Sequence, residues 1–208
     1  MRSLRFLLTL ILLAGPLPAA ASVDAVKESF RAYKMAILQS DGAAAARAVT
    51  QDSHVYFKGL ADQALTLDRD GLHGIHLSDR IYALLLRHTL QPAALEGMSG
   101  GEVVAYAVGA GWIGREGANR LELGDYRIEG DAASGTILHP DGSATEFTIA
   151  FAQEEGRWRL DLVALMELTR AACEYSQQQS GLSEDDFVLA MLEHVSGRKP
   201  GPDIWSPR

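Results

Sequence analysis

RLELGDYRIEGDAASGTILHPDGSATEFTIAFAQEEGRWRLDLVALM, residues 120–166, is the stretch whose reading decides the fold. Turn-forming combinations break it at strand-length intervals: Glu129-Gly130-Asp131, Pro140-Asp141-Gly142 and Glu155-Gly156. Between the last two breaks Thr145, Phe147, Ile149 and Phe151 alternate with Glu146, Thr148, Ala150 and Ala152, the period-two pattern of a half-buried strand. Trp158, Leu160 and Leu162 alternate with Arg157, Arg159 and Asp161 in what reads as the last strand. The segment therefore predicts a four-stranded antiparallel meander.

Outward from the meander the apolar spacing becomes helical. Val26, Phe30, Tyr33 and Ile37 mark one face of a helix over 23–39. Ser40-Asp41-Gly42 ends it and opens an alanine-rich helix to about Val49, and Thr50 to Leu67 reads as a third helix after a Thr or Asp cap. Residues 68–76 read as a looser stretch. Ser78 is the expected cap of a largely buried helix to Leu90, in which Leu77, Ile81, Leu84, Leu85 and His88 share a face. Pro92 suits a short helical turn, Ser99 and Glu102 fit a capping box despite Gly100 and Gly101, and 115–119 reads as a polar loop. After Leu165 the pattern is helical again to Ser180, and Ser183 starts a final helix that Gly197 ends. The fold class is α+β: N-terminal helices, a four-stranded antiparallel meander sheet and C-terminal helices.

Residues 1–21 read as an export signal. Arg2 and Arg5 precede an apolar run, Phe6 to Ala14, too short to cross a bilayer, and Ala19-Ala20-Ala21 supplies small residues for cleavage before Ser22. The expected location is periplasmic or secreted. Residues 22–198 form a single expected domain, followed by a Pro-rich tail, 199–208, with Trp205 as its plausible anchor. Without the signal, 17 basic and 27 acidic side chains give a net charge of −10, which argues against nucleic acid or an anionic membrane as partner. The single Cys173 excludes an internal disulfide and reads as a buried or unreactive thiol.

Two segments carry a family likeness. SFRAYKMAILQSDGAAAARAVTQDSHVYF resembles the opening helix pair of the nuclear transport factor two-like (cone-shaped α+β) superfamily, and HPDGSATEFTIAFAQEEGRWRLDLVAL resembles its closing hairpin. The resemblance covers 23–58 and 119–166. The chain departs from it in a longer, mostly helical interval between these regions and in two helices after the sheet. The segments LLLRH, GWIG and GRWRLDL are also similar to those of a set of exported bacterial proteins. The superfamily contains isomerases, cyclases and many non-catalytic binding modules, so the likeness implies a fold and leaves the chemistry open.

The candidate ligand-binding residues are Tyr56, Tyr82, Arg87, His88 and Asp161. Arg87 follows Leu84-Leu85-Leu86 and Asp161 lies among apolar strand residues, so the two charges are expected to pair and join helix to sheet. His88 reads first as a hydrogen-bonded core histidine and second as a general base. Tyr56 and Tyr82 read as core aromatics with hydroxyls at a polar edge. His73, His76 and Asp79 have three-residue spacing that could present metal ligands on a helix, but Gly74 weakens that helix and a polar loop is the better reading; no metal or other cofactor is expected. The first expectation for function is an exported non-catalytic binding or interaction protein. It would use the concave sheet face or a helical groove for a small apolar ligand or an envelope protein. The alternatives are an acid–base enzyme of isomerase or cyclase type and a structural component of the cell envelope.

Overall fold

Helix caps set most of the boundaries in the computed structural model, which describes residues 22–113 and 115–208; the expected export signal lies outside them. Ser22 caps α1 (Val23–Gln39), Asp41 caps α2 (Gly42–Arg47), Thr50 caps α3 (Gln51–Thr66) and Asp68 caps α4 (Arg69–His73), each through its side-chain oxygen. The helix α5 (Leu77–Thr89) starts one residue before the expected cap: His76 occupies the cap position without a side-chain bond, and Ser78 points its hydroxyl at Asp79. Pro92 opens α6 (Pro92–Glu96). Ser99 and Glu102 close a full capping box on α7 (Gly100–Gly109).

The glycine that seemed to weaken α7 is required by its packing. A Cβ on Gly100 would stand 1.7 Å from the carbonyl oxygen of His54, so only glycine lets α7 meet α3 so closely. Likewise, a Cβ on Gly42 would stand 2.0 Å from the Ala105 carbonyl, where α2 meets α7.

Residues expected as a polar loop form α8 (Arg115–Arg120), closed by an Arg120–Glu116 ion pair one turn apart. The sheet follows as β1 (Leu123–Glu129), β2 (Ala132–Leu138), β3 (Ala144–Glu154) and β4 (Arg157–Leu160), paired antiparallel in the order β1-β2-β3-β4. Ala133, Ile149, Phe151, Trp158 and Leu160 point to the core. The outer edge of β4 is covered: Leu160 donates to the Ala48 carbonyl and accepts from the Thr50 amide, a short parallel bridge to the α2–α3 joint. The helix α1 lies across the sheet, packing on edge strands β1 and β4, and Phe30, Tyr33 and Ile37 from it are buried in the same core as Ile149 and Phe151.

The last strand ends sooner than the alternation implied. Asp161 caps α9 (Leu162–Ser180) by accepting from the Val163 and Ala164 amides, so Leu162 begins a helix. A short acidic residue before a helix-forming run is an N-cap signal, and it outweighs one more step of alternation. Next, α10 (Glu184–Ser196) is capped by Ser183 and ended by Gly197 at φ 69°. Residues 199–208 carry a short 3₁₀ helix, Pro202–Trp205, whose Ile204 is buried. No helix among the described residues is long and apolar enough to cross a membrane.

Candidate functional site

The sequence of α9 is rich in small side chains where it faces its neighbours. Thr169, Ala172, Cys173 and Ser176 recur at helical spacing, and only Leu162 and Met166 of this helix are buried. Small residues leave room. A cleft of about 340 Å³ opens between α9, α5 and α10, walled by Ile81, Leu85, Trp112, Phe187, Met191 and Val195. This volume lies within the range typical of small-molecule sites, and the wall is predominantly apolar as such sites are.

Tyr82 enters the cleft from α5 and Cys173 from α9. The hydroxyls of Thr169 and Ser176 are turned back to the carbonyls of Leu165 and Ala172, 3.1 and 2.8 Å away, so they offer a ligand little. The Tyr82 phenol makes no hydrogen bond to the described residues, which leaves it as the cleft's available polar group. Burial pushes its pKa up, with Cys173 and Asp79 adding to the effect, so it donates a proton in a hydrogen bond at neutral pH. Burial likewise pushes up the Cys173 thiol, with Glu174 adding to it, and the thiol stays protonated and weakly nucleophilic.

A polar cluster braces one end of this helix pair. Asp79 on α5 accepts from the Tyr56 hydroxyl at 2.6 Å and from Ser78 at 3.3 Å through Oδ1, and from Arg170 on α9 at 2.9 Å through Oδ2. Burial raises the Tyr56 pKa, and the bond to Asp79 raises it further. Burial opposes the Arg170 charge, but Asp79 and Tyr56 outweigh it and hold the guanidinium firmly protonated. Both carboxylate oxygens of Asp79 are committed, so the cluster reads as a brace between α3, α5 and α9. Tyr56, Phe57 and Tyr82 run from it toward the cleft as successive edge-to-face pairs, with ring centres 5.4 and 6.3 Å apart.

The expected Arg87–Asp161 pair does not form. Arg87 is 1% exposed, and its guanidinium donates to the carbonyls of Ala64 at 2.6 Å, Leu67 at 2.6 Å and Ile204 at 3.0 Å. It ties the end of α3 to the C-terminal strap. Asp161 is occupied as the cap of α9. The premise that a buried charge needs an opposite charge was too narrow: five N–H donors can be satisfied by carbonyls at a helix end, where the backbone leaves acceptors free. His88 also lies off the core stripe, half-buried at the rim, with Nε2 donating to the Arg198 carbonyl at 3.1 Å.

His73 and Asp79 face different partners. His73 Nε2 lies 2.8 Å from Asp185 Oδ1, and Arg69 pairs with the other oxygen of that carboxylate. Trp205 packs on both: its ring centre is 5.9 Å from that of His73 and 5.3 Å from the Arg69 guanidinium carbon. Ile204 is the more deeply buried anchor of the strap, 2% exposed beside the half-buried Trp205.

Of the five sequence candidates, then, Tyr82 lines the cleft, Tyr56 joins the brace beside it, and Arg87, His88 and Asp161 serve structural contacts elsewhere. Sequence reasoning missed Arg170 and the small-residue face of α9. The signal was present in the four-residue steps Thr169–Cys173 and Ala172–Ser176, but small residues mark a close helix contact as readily as a cleft. No family model, curated protein or solved structure matches this chain.

Proposed function

We propose that this chain is an exported, non-catalytic binding protein that takes a small, largely apolar molecule into the cleft between α5, α9 and α10. One observation carries the reading: an apolar cleft of about 340 Å³ holds a single uncommitted phenol, Tyr82, among aliphatic and aromatic walls. That combination gives affinity through burial and orientation through one hydrogen bond. The ligand's body is aliphatic or aromatic and it bears an acceptor, a carbonyl or ether oxygen, for the Tyr82 O–H. The helix-then-meander order agrees with the likeness to the cone-shaped superfamily, while the binding site lies between α5, ahead of the sheet, and the two helices that follow it. The protonated state of Tyr82 and Tyr56, and the fully engaged Asp79, favour binding over proton abstraction.

The test is a titration with N-phenyl-1-naphthylamine, a neutral apolar dye that fluoresces on leaving water. The wild-type protein should bind it saturably, and Ala172→Phe, which pushes a ring into the cleft, should abolish the signal. Equal binding by the variant, or no binding by the folded wild type, would overturn the proposal.

A further inference from the structure

The GRWRL segment, residues 156–160, is used by the fold only in part. Trp158 packs its ring into the core at 7% exposure, yet its indole Nε1 is buried with no acceptor among the described residues. On α1, the Ser29 hydroxyl is likewise buried without a partner. Buried donors are almost always paired in folded proteins, and an indole N–H can only donate, so this place calls for an acceptor.

Both residues line a cleft of about 310 Å³ between α1, α2 and β4, with these two polar atoms themselves covered. Arg47, Arg157 and Arg159 share its lining; Glu28, on the adjoining surface that shares Ser29, Ala32, Arg157 and Trp158, is paired with Arg31. Arg159 is already engaged by Glu154 and Glu155 at 3.4 and 3.3 Å. Arg47 and Arg157 are exposed and form no ion pair with the described residues, although acidic side chains outnumber basic ones along the chain. Methyl groups of Ala32 and Ala44 complete the wall.

We infer that this cleft is a binding site for a small organic carboxylate, separate from the cleft between α5, α9 and α10 and independent of it. One carboxylate oxygen accepts from the Trp158 indole N–H and the Ser29 hydroxyl once the side chains covering them shift to admit it, while Arg47 and Arg157 close over the charge. The planar guanidinium fork suits a carboxylate, and the alanine wall suits a short apolar body.

The experiment is a ¹H–¹⁵N titration of the purified protein that follows its tryptophan indole signals. The probes are sodium butanoate, sodium benzoate and inorganic phosphate, against sodium chloride at equal ionic strength. The Trp158 signal is assigned by Trp158→Phe, or by triple-resonance spectra should that variant not fold. A carboxylate should shift the Trp158 signal saturably and leave Trp112 and Trp205 in place. The exposed double variant Arg47→Ala/Arg157→Ala should weaken that binding by about tenfold or more, and Ser29→Ala should weaken it as well. Three results would overturn the inference. They are no Trp158 shift beyond the chloride control (as when a water satisfies the indole), a shift with phosphate alone, or a carboxylate shift unchanged in the double variant.

Discussion

On the sheet side of the molecule, Phe30, Tyr33 and Ile37 of α1 are buried in one core with Ile149 and Phe151. Elsewhere in the molecule, α9 meets α5 and α10 with threonine, alanine, cysteine and serine, and a cleft remains. Both interfaces cover one face of a long helix. They differ in side-chain volume: large residues at helical spacing consume the space between elements, and small ones leave it open. The sequence led to two expected places for a ligand, the concave sheet face or a helical groove, and the space available to the proposed apolar ligand lies between α5 and the two helices that follow the sheet.

The contrast can be broken by substitutions, in order of expected effect. Phe151→Ala on the closed side should cost about 3–5 kcal/mol of stability, read from urea unfolding, because a tightly enclosed core collapses poorly around a lost ring. Arg87→Met should cost about 3 kcal/mol by the same measurement, since it strands the carbonyls of Ala64, Leu67 and Ile204 in the interior. Arg87→Lys should recover little of that loss, because one ammonium cannot span the same acceptors. On the open side, Ala172→Phe should change stability by only about 1 kcal/mol, because it fills existing space without overpacking a closed core. A cost near that of Phe151→Ala would mean that the cleft is as closed as the sheet side.

A smaller effect concerns acid. Burial works against the Asp185 charge, but hydrogen bonds from His73 and Arg69 outweigh it and hold the carboxyl below its usual value. A depressed carboxylate contributes stability above its unfolded pKa and loses it as pH falls through the folded value. The contact between α4 and α10, with Trp205 across it, should therefore hold at neutral pH and loosen below about pH 4. Trp205 fluorescence should follow that loosening, and Asp185→Asn should remove the acid-dependent step at this site.

The sheet was legible because turns and alternation are local signals, and the same holds for most caps. Asp161 shows where local signals compete: strand alternation and an N-cap signal overlap at one residue, and the cap prevailed. Arg87 was legible as buried, but its partners were not. The carbonyl of Ile204 comes from far along the chain, and only the folded path of the strap brings it within 3.0 Å. The cleft was illegible for a different reason. Its boundary depends on how far α9 stands from α5 and α10, a distance that small side chains permit without fixing.

The most direct test of the contrast is diffraction from crystals of this protein pressurised with xenon, which occupies apolar space without needing a hydrogen bond. Xenon density should appear beside Ile81, Leu85, Ala172 and Phe187, with none in the core shared by Tyr33, Ile37, Ile149 and Phe151. Density within that core, or an empty cleft at full pressure, would contradict the account.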